Sequence, residues 1–371
     1  MAKDPLHTKL CDVLGIEFPI VAFTHCKDVA VAAINAGGFA VLGETHRSPD
    51  EIAADIKWIR ERIGGKPFGI DLVLPASVPP SGTIDDLRAQ IPDTHRRFID
   101  DMKRRHNIPE PRNPPQLYQL GWMTQDIPRK QVDVVLEERV PVLAFGLGSP
   151  NFIVEAAHSR GVMLWGMVGK PRQAKRELDA GVDAIVAQGF DAGGHTGNIG
   201  TFSVVPLVRE LAGDKIVIAA GGVTTGRHLA GALALGADGV WCGTVWLASR
   251  ESDKEMPIKE IILNADTEDA VWSRCISGFT MRTTRSQWHE EWESPGAPEP
   301  LPAPYQLLLF AEVQQSVMEN NITSFMTEAA GQGVHFVNSM KPVRQIIFDM
   351  VGEAQEAFES LISDSAVGAA N

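Results

Sequence analysis

His195 follows a glycine pair in the segment VAQGFDAGGHTG, residues 186–197. An imidazole titrates near neutral pH and is suited to proton transfer. Gly193 and Gly194 let the backbone approach a flat ligand and adopt conformations closed to other residues. A glycine-rich turn with an incidental surface histidine reads the same letters equally well. Two further stretches carry paired small residues, AAGGVTTGR (219–227) and CGT (242–244). Glycines at Gly221, Gly222 and Gly243, with the Thr244 hydroxyl, suit a phosphate held by backbone N–H groups. The competing reading is that small residues merely ease tight turns. His25 (in THCKD) and His46 (in GETHR) are further ionisable groups at pocket-facing positions, or else capping and loop-packing histidines. Cys26 is a nucleophile only with a base beside it. Gly146-Leu147-Gly148-Ser149-Pro150 is too short for a GxGxxG turn and carries a proline, so no Rossmann site is expected. The four cysteines, Cys11, Cys26, Cys242 and Cys275, form no CxxC pair, which argues against a disulfide framework and against a metal site.

Eight short apolar runs position these residues. They are Pro19–Phe23, Phe39–Glu44, Phe68–Leu74, Val142–Gly148, Val162–Gly169, Ala184–Gly189, Ile216–Gly222 and Gly239–Thr244. Continuous apolar runs of this length suit strands buried on both faces, as in a parallel sheet. The stretches between them read as helices: Asp28–Ala36, Pro49–Ile63, Lys170–Ala180 and Gly226–Leu235. Ser48 is placed to cap the second, with Pro49 in its first turn. Strand–helix alternation with short links implies right-handed crossovers. Eight units favour closure into a (β/α)₈ TIM barrel, and the glycine-rich segments then fall at the C-terminal strand ends.

Two regions break the rhythm. Pro75–Arg139 is rich in proline and charge, holds a helical candidate at Ile84–His106, and reads as an insertion after strand 3 covering the mouth as a possible lid. Arg250–Asn371 reads as a mostly helical C-terminal extension with a frayed end, DSAVGAAN. The expected organisation is a barrel over residues 10–250, with 75–139 inserted, followed by the extension over 251–371. Eight tryptophans are present; Trp165 and Trp246 read as core, and Trp288 with Trp292 as a packing or interface pair.

The chain has 371 residues, 44% of them hydrophobic, and a net charge of −13. That composition supports a large core. The acidic balance argues against nucleic acid and anionic membranes as partners. The N-terminal stretch lacks an apolar core region and no long apolar run follows, so a cytoplasmic location and no membrane span are expected.

The segments VAQGFDAGGHTG, IAAGGVTTGRHLAGALALGADGV and WCGTVWLASRES closely resemble the nitronate monooxygenase family, formerly the 2-nitropropane dioxygenases. INAGGFAVLGE and PFGIDLVLP extend the resemblance over roughly residues 10–250. It implies FMN as cofactor and His195 as catalytic base or proton relay. It implies Gly193 and Gly194 near the flavin ring, Gln188 beneath it, and Gly221, Gly222, Gly243 and Thr244 around the phosphate. Ala22 and Asp71 fall at further cofactor-facing positions. Asp71 departs from the asparagine usual in the family, and a carboxylate donates only when protonated. The family's glycine-rich turn after strand 1 is replaced here by Ala22-Phe23-Thr24-His25-Cys26-Lys27-Asp28, which puts bulky and ionisable groups toward the substrate.

The resemblance implies an oxidoreductase acting on a small molecule, such as a nitronate or similar carbon acid, with O₂ as oxidant. The alternative is a flavin reductase that takes electrons from NAD(P)H and passes them to a quinone or an enoyl-CoA-like acceptor. A non-catalytic flavin-binding protein is the third reading. Homo-oligomerisation is left open.

Overall fold

The computed structural model describes residues 4–74, 84–113, 126–148 and 151–368. Eight parallel strands close into a barrel: β1 (Ile20–Thr24), β2 (Phe39–Gly43), β3 (Gly69–Val73), β4 (Val142–Gly146), β5 (Met163–Val168), β6 (Ala184–Gln188), then β8 (Ile216–Ala220) and β9 (Gly239–Cys242). All eight expected strands form. Pairing of Ile20, Val21 and Ala22 with Val240, Trp241 and Cys242 closes the ring. The barrel has no edge, so each of its eight strands is paired on both sides.

Alternation along each strand sorts the side chains. Val21, Phe39, Val41, Val142, Ala144, Trp165, Ala184, Val186, Ile216, Ile218 and Trp241 fill the lumen. Ala22, Ala40, Leu42, Ile70, Leu72, Leu143, Ile185 and Val217 face the surrounding helices. Helix α1 (Lys9–Leu14) plugs the lower end with Leu10, Cys11 and Leu14. Gly239 makes room for it: a Cβ there would lie 2.5 Å from the Leu10 Cδ2.

The outer helices are α2 (Lys27–Asn35), α3 (Pro49–Ile63), α6 (Asp126–Glu137), α7 (Val154–His158), α8 (Pro171–Ala180), α9 (Thr201–Ala212) and α10 (Gly226–Ala234). Ser48 caps α3 through a capping box with Glu51, and Gly64 ends it at φ 60°. The insertion is shorter than the sequence suggested, because α6 packs on α3 and β3 as an ordinary barrel helix. The single helix expected over Ile84–His106 is two, α4 (Ile84–Ala89) and α5 (Asp93–Arg105). Pro92 stands between them with ψ 144°; a proline cannot donate to a helix and disfavours helical backbone in the residue before it. The proline-rich stretch at 75–83 lies outside the described residues.

The chain beyond β9 is mostly helical, as expected, with a small sheet set into it. It begins with α11 (Met256–Asn264), then β10 (Ala270–Ser273) and β11 (Met281–Thr284) form a small antiparallel sheet with β7 (Gly194–His195). Helices α12 (Gln287–Glu293) and α13 (Tyr305–Glu319) pack with the insertion around a second core. That core joins Ile91, Ile99 and Met102 to Trp288, Trp292, Leu308, Phe325 and Met326. The last helix, α14 (Val343–Gly368), lies against α10 and α2 and fills the eighth helical place of the barrel. The expected frayed end is helical through Gly368; residues 369–371 lie outside the described residues. Trp165 and Trp246 are buried in the barrel as expected.

The seat of α14 is tight at Gly226, where a Cβ would clash with the Met350 carbonyl oxygen and the Ala354 amide. Gly226→Val is expected to lower stability by about 1–3 kcal/mol through overpacking. Gly231, in the same helix α10, is exposed and has open space at its Cβ position. Gly231→Ala is expected to raise stability by about 0.5–1 kcal/mol. Thermal unfolding of the two variants checks both signs.

Candidate active site

At the upper rim the lumen-facing residues become small. The sequence of strand ends brings Gly43, Gly146, Ala220 and Gly243 to this layer, with Phe23, Asp71, Met167 and Gln188 among them. A Cβ at Gly146 would meet only Met167, at 4.0 Å, and one at Gly243 only Phe23, at 3.8 Å. The rim therefore floors an open, shallow space. Phe23 stacks on Trp241 beneath it, with centroids 5.3 Å apart and planes at 23°.

The loop after β6 rises from this floor. His195 Nε2 lies 2.8 Å from the Ser277 Oγ, and its ring stands edge-on to Phe279 at 5.9 Å. The Ser277 hydroxyl points on to the Phe279 carbonyl at 3.4 Å. With that hydroxyl donating onward, the His195 proton belongs on Nε2, and Nδ1 keeps a lone pair. Solvent reaches His195, but protein surrounds it closely, and burial alone pulls its titration down to about 4. It is a neutral imidazole at physiological pH.

Sheet pairing fixes this loop to the C-terminal part of the chain. Met281 pairs with His195 and Arg282 with Gly194. The buried Arg282 donates from Nε and Nη2 to the Phe190 carbonyl at 3.3 and 3.1 Å, and its guanidinium lies 4.4 Å from the Phe190 ring. Gly193 packs on the backbone of Ala330 and Gly331, so close that a Cβ would lie 2.8 Å from it. Its smallness serves that contact, while Gly194, at φ 73° with nothing near its Cβ position, faces open space.

The turn after β8 puts Gly221 at φ 105° and Gly222 at φ 71°, backbone that favours glycine. After β9, Gly243 leads into a single 3₁₀ turn, Thr244–Trp246. The Thr244 Oγ1 accepts from the Gly331 N–H at 2.9 Å and keeps its own proton to donate. Gln332 N–H donates to the Asp191 carbonyl at 2.9 Å, which draws the 330–332 segment into the same corner.

On the opposite side, His25 lies over Gly43, whose carbonyl accepts from its Nδ1 at 2.8 Å. Its ring is open to solvent, and its centroid is 6.4 Å from that of His46. The protein packed around it still lowers its titration, against the hydrogen bond to Gly43, with Lys254 lowering it further. Lys254 pairs with Glu328 at 2.6 Å. Asp71 faces the lumen between Gly43 and Ala144 of the flanking strands. Burial alone raises its carboxyl to about 7.

Most of the expected site residues therefore converge on one mouth. His195, Gly194, Gln188, Asp71, Gly221, Gly222, Gly243, Thr244 and His25 surround or floor it, and His46 stands beside His25. Ala22 does not join them: the pleat turns it outward into the core shared with the helices, and Phe23 takes the lumen position. Cys26 is no nucleophile; its Sγ donates to the Glu251 carbonyl at 3.3 Å and burial raises its titration. Ser277, Phe279, Arg282, Lys254, Glu328 and the 330–332 segment were not foreseen. Only the small residues of Ala329-Ala330-Gly331-Gln332-Gly333 hint at a close backbone approach of the kind seen after β8 and β9. Among the described residues no cluster of His, Cys, Asp or Glu is arranged to hold a metal ion. The space fits a flat ring system with a phosphate tail: small residues clear the floor, and positive-φ turns with a free hydroxyl proton lie at one edge.

The nitronate monooxygenase family model matches residues 7–353. A Mycobacterium tuberculosis protein named as a monooxygenase is 38% identical over 361 residues, covering 94% of this chain and 96% of the relative. A Staphylococcus aureus protein named as a nitronate monooxygenase is 27% identical over 299 residues, 76% of this chain and 79% of its own length. The structure of a nitroalkane oxidase from Streptomyces ansochromogenes superposes with a TM-score of 0.78 at 25% identity, over 95% of this chain and 99% of that one. FabK from Thermotoga maritima gives 0.73 at 27% identity, over 96% and 99%.

Gly243 has φ −114° and ψ −62°, backbone open to any residue, with free space at its Cβ position. Gly243→Val is expected to leave thermal stability within about 0.5 kcal/mol, as a change away from packed contacts does, while the purified protein loses its flavin. The absorbance ratio of flavin to protein, read beside the melting curve, separates the two effects.

Proposed function

The chain belongs to the nitronate monooxygenase family of FMN-dependent oxidoreductases, and we propose that it oxidises a small carbon acid of the nitronate kind with O₂ at the barrel mouth. The observation that carries this reading is His195, a neutral imidazole oriented by Ser277 at the edge of a space cleared for a flat ring. FMN, when bound, supplies the two-electron oxidation of the substrate and the passage of those electrons to oxygen.

The protein's own residues do the rest. Gly221, Gly222, Gly243 and Thr244, with the nearby Gly331, would hold the phosphate through backbone N–H groups and a hydroxyl. Gln188 and Asp71 would face the ring from the floor. His195, through the Nδ1 lone pair, would take a proton from the carbon of a substrate that arrives as the neutral acid. Ser277 keeps the imidazole in one tautomer and one orientation, the part an orienting partner plays for any general base. Phe279 and the loops of the C-terminal part limit water at the mouth. His25, with its Nδ1 spent on the Gly43 carbonyl, would present Nε2 as an acceptor to the substrate from the far side. No specific observation favours the NAD(P)H-dependent reductase over this reading, but it would use the same residues, with His195 returning a proton to the product.

An anaerobic titration of the purified protein tests the proposal. Bleaching of the flavin band by a nitronate alone supports it. Bleaching by NADH or NADPH and not by the nitronate moves the chain to the reductase reading. His195→Gln is expected to retain flavin and to lose about 10²–10⁴-fold in kcat/KM, the usual cost of removing a general base. In the wild type the acid limb of kcat/KM is expected near pH 4, well below the ordinary histidine value. Burial opposes the imidazolium, so the neutral base persists as pH falls from 6.5 and is lost only near its lowered titration point. A pH profile of both proteins checks the limb and its dependence on His195.

A further inference from the structure

We propose that Asp71 is the proton partner of the flavin: its carboxylate takes up a proton when the flavin is reduced and releases it when the flavin is reoxidised. The inference rests on the flavin reading above and adds a role for one side chain of the floor.

The geometry comes first. Ile70 and Leu72 belong to the core between strands and helices, so Asp71 between them faces the lumen. Its in-register neighbours are Gly43 on β2 and Ala144 on β4, and neither side chain can hydrogen-bond. Among the described residues the carboxyl forms no hydrogen bond or ion pair; protein surrounds it closely, yet solvent still reaches it from the open floor. A carboxyl left without a protein partner at an open floor is free to bond, or exchange a proton with, a ligand seated there. The open space left by Gly146 and Gly243 lies on the same floor.

The charges around it are few. On the β2 side the ionisable group is His25, whose Nδ1 is already bonded to the Gly43 carbonyl. The lumen residues that follow round the rim, Gly146 on β4, Met167 on β5 and Gln188 on β6, are uncharged. No charged side chain contributes to the displacement of Asp71, which burial alone drives upward to about 7. The carboxyl is thus close to half ionised at neutral pH and free to respond to a new charge nearby.

Reduction of the flavin brings such a charge. Two electrons and one proton leave the ring with one negative charge, and a like charge close by raises a carboxyl's titration point further. Above pH 7, Asp71 enters as a carboxylate and leaves as an acid. Two electrons from the reductant and two protons from water are taken up, one proton by the ring and one by Asp71. The site then ends with the single negative charge it began with.

The reduction potential of the holoprotein against pH is the test, with dithionite as reductant and mediator dyes under nitrogen. In a two-electron couple each coupled proton is worth about 30 mV per pH unit. Between pH 7 and 9 the wild type is expected to fall by about 59 mV per pH unit and Asp71→Asn by about 30 mV. Asp71→Glu is expected to restore the steeper slope. Equal slopes in wild type and Asp71→Asn overturn the proposal. Should Asp71→Asn lose its flavin, proton uptake by the wild type at pH 8, read with phenol red and corrected for the protons that dithionite releases on oxidation, decides instead: two protons per flavin reduced support it and one overturns it. A wild type that binds no FMN even on reconstitution is a different result, since it removes the flavin reading itself.

Discussion

The hydrogen-bonded seam between β1 and β9 is the contact on which the rest of the site depends. Without it the eight strands would form an open sheet, and the glycine turns after β8 and β9 would lie at one edge, far from His25 and Asp71. Closure bends the sheet until these strand ends share one mouth. It also fixes what the lumen can hold. Trp165, Trp241 and Phe39 fill its middle, α1 stops its base, and only the upper rim is left with residues too small to fill it. The open floor is what remains where packing ends.

The part of the chain after the barrel strands is a second builder of the site. Its strand β11 pairs with the His195 loop, its Ser277 orients the imidazole, and its Gly331 reaches Thr244 at the phosphate corner. The same part packs with the inserted helices around Trp288 and Trp292, and its last helix completes the ring between α10 and α2. The pieces that hold His195 are therefore held by two cores. An imidazole on a free loop would sample many orientations; one locked by sheet pairing on one side and a serine on the other does not.

Burial without compensating charge sets the electrostatics of the mouth. His195 and Asp71 are each displaced by burial alone, in opposite senses, and both displacements favour the neutral form. The result is an uncharged base, and a floor whose one carboxyl is only partly ionised at neutral pH, around a space suited to an uncharged ring. Glu44, just past the end of β2, is a structural counterpart. Burial and the nearby Asp55 raise it to about 8, and one of its carboxyl oxygens has no partner.

The local record was legible wherever the chemistry is local. Short apolar runs marked all eight strands, because strands buried on both faces need continuous apolar residues. Ser48 and Pro49 marked a helix start to the residue, because a cap is made by neighbours in sequence. Pro92 splits the stretch 84–106 into two helices by an equally local rule, since proline brings no N–H to the helical ladder. The glycine pairs and His195 stood out by type and spacing, and so did the family. Tertiary structure alone decided the rest. Which way Ala22 and Phe23 point is set by the phase of the pleat, and one residue of phase exchanges lumen for outer core. Ser277, Arg282 and Gly331 reach His195, Phe190 and Thr244 across 82, 92 and 87 residues of chain. No spacing rule spans such distances. The sequence by itself determined the barrel, its turns and the histidine; the closing of the chain on itself decided what holds that histidine and which groups lose their water, because burial and long-range contact exist only once the chain is folded.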